Sequence, residues 1–229
     1  MNVHSQQSSP MQLALPPSVP SHSDIRTAGI LDSVRQAFLA KGFDGATMQD
    51  LARAAGMSVG NFYRYFPSKA AIIQALILHD AAQVQRDFSV ILTSSRPLAT
   101  LRQVIHARVL DNDCANDLAL WAEIEAASRR SPEIAEAAQQ METQVLGNFL
   151  AVFAAETGLP IEEATRRFSL PASYVLVMVK AASCLSCAST LDQPQVRAMI
   201  LASIDQTLDQ VAHTTPTPLP LHPKDQTCA

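Results

Sequence analysis

Apolar side chains recur at spacings of three and four along most of this chain, and convincing runs of two-residue alternation are missing. That periodicity predicts an all-helical fold. Ile30, Leu31, Val34 and Phe38 form one stripe, with Ser23 placed to cap the helix and Gly42 placed to end it in a left-handed conformation. A second helix runs through Leu51, Ala52 and Ala55, behind the capping box Thr47-Met48-Gln49-Asp50. In such a box the Thr hydroxyl accepts from the Asp50 amide while the Asp carboxylate accepts from the Thr47 amide. Ala55-Gly56-Met57-Ser58 reads as a tight turn, with Gly56 free to take positive φ and Ser58 capping a third helix, Val59 to Tyr65. So short a helix is marginal alone, and Phe62 and Phe66 must hold it by packing. Pro67 stops it, and Ser68 opens a fourth helix through Ile72, Ile73, Leu76 and Ile77.

Further along, Pro97, Ser131-Pro132-Glu133, Gly158-Leu159-Pro160, Pro171 and Asp192-Gln193-Pro194 divide residues 71–212 into about six further helices, a helical bundle. Residues 1–22 hold four prolines and no Asp, Glu, Lys or Arg, and residues 213–229 are similarly Pro-rich, so both ends read as mobile tails. The expected organisation is a tail over 1–22, a first domain over 23–70, a second over 71–212 and a tail over 213–229.

The segment SVGNFYRYFPSK, residues 58–69, concentrates candidate chemistry. Two helices joined by a short Gly-containing turn form a helix-turn-helix, whose second helix can enter the major groove of DNA. Ser58, Val59, Gly60 and Asn61 are small enough for close approach to base edges. Asn61 can pair with adenine and Val59 can meet a thymine methyl. Tyr63, Tyr65 and Lys69 carry hydroxyls and an ammonium suited to phosphate oxygens, and Thr47 opens the preceding helix as an amide-and-hydroxyl anion site. For Tyr63 the competing reading is a packed aromatic, but Phe62 and Phe66 already supply the core side of this helix.

The stretch TMQDLARAAGMSVGNFYRYFPSKAAII resembles the DNA-binding signature of the TetR (tetracycline-repressor) family of bacterial transcriptional regulators, over roughly residues 25–73. The resemblance implies an all-α, two-domain homodimer, usually a repressor. Its N-terminal three-helix domain would bind a palindromic operator, and its C-terminal bundle would bind a small-molecule effector and dimerise through the last two helices. It assigns phosphate contacts to Thr47, Tyr63 and Lys69, and base-proximal positions to Gln49, Ser58, Val59, Gly60 and Asn61. Asn61 stands where Thr or Ser is more usual in the family, so the operator sequence does not follow from it.

Net charge, −4 overall, is unevenly placed: residues 24–70 hold six Lys and Arg against four Asp, and the remainder carries the acidic excess. A mildly basic head on an acidic body suits a local phosphate contact. With 48% hydrophobic side chains the chain can build a real core. No apolar run reaches membrane-span length and no signal peptide opens the chain, so a cytoplasmic protein without membrane contact is expected. Cys114, Cys184, Cys187 and Cys228 are expected to be reduced thiols. Phosphate loops, HExxH, GxSxG and Cys/His sets at metal spacing are all missing, which gives no support for an enzyme and no cofactor.

Within the bundle, Trp121, Met141, Phe149, Phe153 and Met178 are candidate lining for an effector cavity, with His106 and Glu125 to fix a polar group. Core filling for the apolar five, and satisfied or surface positions for the other two, are the competing readings. The apolar stretches Tyr174 to Cys187 and Val196 to Val211, rich in small residues, are the expected dimer helices. Two other readings remain open: a DNA-binding dimer answering to a protein partner or to thiol oxidation, and a helical enzyme without a local signature.

Overall fold

The computed structural model describes residues 22–110, 115–185 and 192–214. Its helices are α1 (His22–Gly45), α2 (Met48–Ala54), α3 (Val59–Tyr65), α4 (Lys69–Thr93), α5 (Pro97–Leu110), α6 (Ala115–Ser128), α7 (Pro132–Thr157), α8 (Ile161–Cys184) and α9 (Gln193–Ala212), and no strand occurs among the described residues. The all-helical expectation holds. The tails over 1–21 and 215–229, with Cys114, Cys187 and Cys228, fall outside the described residues.

Local boundaries follow the sequence signals closely, with three differences. The first is that α1 begins at His22, so Ser23 lies inside the first turn, a shift of the size helix ends commonly show. Secondly, Gly42 takes φ 71° as expected, but its ψ of 167° is extended rather than left-handed helical, so the chain kinks there before one further turn to Gly45. The last concerns Pro171, expected as a break, which lies inside a continuous α8. An internal proline costs about 3 kcal/mol through its lost amide and ring clash. Phe168, Ala172 and Val175 on the same helix are buried, and at roughly 25 cal/mol per Å² their combined burial is large enough to offset that cost.

Two hydrophobic cores organise the helices. One gathers Val34 and Phe38 of α1, Leu51 of α2 and Phe62 of α3 with Leu76 of α4, and continues into Leu120 and Ile124 of α6 and Met141 of α7. The other gathers Phe88 and Ile91 of α4 with Leu101, Phe153, Phe168, Val175 and Ile204. Helix α4 therefore enters both. A domain boundary after residue 70 falls two residues into this helix, and the first core draws on both sides of it.

Candidate nucleic-acid interface

The helix-turn-helix is assembled by backbone hydrogen bonds that the sequence dictates. Gly56, at φ 64°, ends α2: its amide donates to the Arg53 carbonyl at 3.0 Å and the next amide, of Met57, donates to the Ala52 carbonyl at 2.9 Å. That pairing closes a Schellman turn, which satisfies carbonyls α2 would otherwise leave open. Ser58 then caps α3, its hydroxyl accepting from the Asn61 amide at 3.3 Å. Ser68 caps α4 in the same way, accepting from the Ala71 amide at 3.1 Å.

Helix α3 is fixed from one side. Phe62 is fully buried, its ring 5.5 Å from that of Phe66. On the outward side Val59, Tyr63 and Tyr65 are exposed, Tyr63 at 48% and Tyr65 at 37%. Ser58 and Gly60 are exposed as well, Asn61 is half-buried, and a Cβ built at Gly60 would meet nothing within 4 Å. Gln49 and Thr47 are exposed on and just ahead of α2. The two tyrosines and the small residues expected to face DNA thus lie on the solvent side of a helix whose Phe62 anchors it, as the sequence pattern requires.

The capping box at Thr47 forms with an added partner. The Asp50 amide donates to the Thr47 hydroxyl oxygen at 3.2 Å, and Asp50 accepts from the Thr47 amide at 3.0 Å and from the Thr47 hydroxyl at 2.7 Å. The Lys41 ammonium stands 2.7 Å from the other carboxylate oxygen. Lys41, then the Thr47 hydroxyl and amide, hold the Asp50 carboxyl well below the usual carboxylate range. The single hydroxyl hydrogen of Thr47 is consequently engaged inside the box, and only rotation away from Asp50 frees it for a phosphate. Lys69 donates to the carbonyls of Asp44 at 3.2 Å and Ala46 at 3.1 Å, which leaves one of its three N–H groups.

The seven bundle residues proposed for an effector cavity do not come together at one place. His106 on α5 lies with Nε2 2.9 Å from Asp205 Oδ1, beside Arg102, which holds the same carboxylate at 2.7 Å. Glu125 pairs with Lys180 at 2.7 Å, and Glu142 lies 3.2 Å from the same ammonium. Partial burial pushes Lys180 down, but its hydrogen bonds to the two carboxylates outweigh this and raise it. Met141 belongs to the first core with Trp121 packed against it, whereas Phe149 and Phe153 belong to the second with Met178 against it. Sequence reasoning missed the partners that join distant segments: Glu123 to the Phe43 amide, Lys180 to α6 and α7, and the half-buried Arg35–Asp80 pair between α1 and α4. Their separations, up to 80 positions, leave no local signal.

No single helix among the described residues is long and apolar enough to cross a membrane, and none of their His, Cys, Asp and Glu side chains form a group able to hold a metal. On the outer side of α8, Leu170, Tyr174 and Val177 are exposed, Leu170 at 79%, and Met199 of α9 is exposed at 74%. Ala182, by contrast, is buried within the chain's own second core.

Residues 30–76 match the family model described as bacterial regulatory proteins, tetR family. The HTH-type transcriptional regulator UidR of Escherichia coli K12 is 30% identical over 106 residues, 46% of this chain and 53% of UidR. The HTH-type transcriptional regulator EthR of Mycolicibacterium smegmatis is 43% identical over 54 residues, 24% of this chain and 25% of EthR. The chain thus spans about half or less of the curated relatives it matches. Among solved structures, GusR of Salmonella enterica has a TM-score of 0.65 at 21% identity, over 85% of this chain and 98% of GusR. A transcriptional regulator from Rhodococcus sp. has a TM-score of 0.66 at 16% identity, over 83% of this chain and 99% of its own. At these identities the structural likeness is one of fold.

Proposed function

We propose, from a head that is a tetR-family N-terminal domain, that this chain is a DNA-binding transcriptional regulator acting as a homodimer on a near-palindromic operator. The observation that carries the reading is α3: Phe62 is buried while Val59, Gly60, Tyr63 and Tyr65 are exposed. Placed in a major groove, Ser58, Val59, Gly60 and Asn61 meet base edges, with Gln49 alongside. Tyr63, Tyr65 and the remaining N–H of Lys69 reach phosphates on either side, and Thr47 joins them once its hydroxyl turns from Asp50.

Dimerisation is supported by the outer side of α8 and α9, where Leu170, Tyr174, Val177 and Met199 stand exposed in a single chain. Large apolar groups grouped on one side of two packed helices are what a partner copy covers. A two-fold partner presents two copies of α3 to successive turns of one DNA face, which is why a palindromic site is proposed. The bundle is the proposed seat of a small, mostly apolar effector that releases DNA by favouring another spacing of the heads.

Selection of binding sequences from a random duplex pool, followed by anisotropy titration at several salt concentrations, tests the reading. The expected result is an inverted-repeat consensus and a steep loss of affinity with salt, from counterion release. Enrichment of no sequence would overturn it.

A further inference from the structure

A cleft of about 210 Å³ lies where the head meets the bundle. Its floor is apolar, from Phe43 and Ile73 on the head side and Ala127 and Ile134 on the bundle side. Its rim carries Lys69, Arg130 and Ser131. The cleft is open to solvent and its floor residues Phe43, Ile73, Ala127 and Ile134 are nearly fully buried, so it has room for no more than one ring lying flat against that floor.

The rim selects the charge of any polar group on that ring. Two cations stand there against one carboxylate, Asp44, whose Oδ2 is 2.9 Å from Arg130 Nη2. Both members of that pair are largely exposed, so the contact is weak and readily exchanged for another carboxylate. Ser131, which precedes α7 without capping it, adds a hydroxyl to the lining. A guanidinium fork and an ammonium at the mouth of an apolar floor fit a planar anion with a hydrophobic body.

We propose that this cleft binds small carboxylates bearing a single apolar ring or short chain, the hydrophobic part on Phe43 and Ile134 and the carboxylate between Arg130 and Lys69. The site is separate from the bundle interior. Because Lys69 is also a proposed phosphate contact, an occupant competes with DNA for the same ammonium. That consequence rests on the DNA-binding reading, whereas the site itself does not.

Calorimetric titration of the full chain with benzoate and with benzyl alcohol, its neutral counterpart, tests the site in the absence of DNA, so that its failure and that of the DNA-binding reading are separable. Benzoate is expected to saturate below about 10 mM, the range open to a ligand of about nine heavy atoms. Amide shifts should cluster at Ala70 and Ser131, and Arg130→Gln, a change at an exposed side chain, should weaken binding about tenfold. Benzyl alcohol should show no saturation. Equal binding of the two probes, no saturation by benzoate, or an unchanged affinity in Arg130→Gln would overturn the proposal.

Discussion

The amide of Phe43, in the last turn of α1 just past the Gly42 kink, donates to the Glu123 carboxylate of α6 at 2.8 Å. The same carboxylate lies 3.4 Å from where a Cβ on Gly42 would stand, an ordinary contact, so the glycine is needed for its positive φ rather than for space. Glu123 therefore fixes the turn that precedes the helix-turn-helix. Glu123→Ala should leave a half-buried amide without its charged acceptor and cost about 1–3 kcal/mol of stability. Amide exchange should accelerate around residues 42–46 first; a denaturation midpoint and exchange pattern like the parent's would mean that the hydrogen bond does not order the turn.

Gly56→Ala should cost about 1–2 kcal/mol, the penalty for placing a Cβ in the left-handed region. Nothing stands within 4 Å of the Cβ it would gain, so the cost is conformational rather than steric. Urea unfolding reads it directly, and a neutral result would show that the turn can relax.

Tyr63→Phe removes a hydroxyl from an exposed side chain and should leave the melting temperature unchanged while weakening binding to every DNA sequence alike. Asn61→Ala should instead cost about 1–3 kcal/mol at particular base pairs. Anisotropy titrations against the selected site, its single-base variants and an unrelated duplex separate the two behaviours. Identical losses on all three DNAs for both variants would contradict this division between reading and anchoring.

Val177→Arg places a charge among the exposed apolar groups of α8 and should convert dimer to monomer by light scattering, with operator affinity falling in parallel. Ala182, whose small side chain sits among the apolar residues expected to form the dimer helices, is not a useful probe because it is buried in its own subunit. Substitution there would unfold the second core. A Val177→Arg protein that remains dimeric would assign this side of α8 to solvent.

Asp50 has a folded-state carboxyl held below its ordinary range by Lys41 and Thr47. A depressed carboxylate contributes stability that is fully present above the unfolded range and is lost as pH falls through that range towards the folded value. Asp50→Asn should therefore flatten the acid limb of a stability-versus-pH curve below about pH 4 and change its shape little near neutrality. Parallel acid limbs for the two proteins would argue that Lys41 and Thr47 do not hold the carboxylate in solution.

Much of the head was legible because its signals are local. Thr47 with Asp50, Ser58 with Asn61, Gly56 with Arg53 and Met57 with Ala52 interact over three to five positions, and the physics of caps and left-handed turns is written in those spacings. Pro171 misled for a reason of the opposite kind: its local cost is real, but burial of its neighbours against distant helices outweighs it. The bundle candidates were illegible because filling a core and lining a cavity call for the same side chains. Phe149 and Phe153, ring centroids 6.4 Å apart in the second core, could serve either role by sequence, and no local spacing separates the two.

The first core draws Leu120, Ile124 and Met141 from beyond residue 70 to cover the same interior as Val34, Leu51 and Phe62. The head is therefore not a cassette that can be cut out and transplanted between relatives. A graft ending at residue 70 would lose Ile72, Leu76 and the α6 and α7 side chains that close its interior, and the recipient's bundle would have to supply matching shapes. Drift in this bundle is likewise constrained from a distance, since Leu120 and Met141 belong to the same core as Phe62, the anchor of α3.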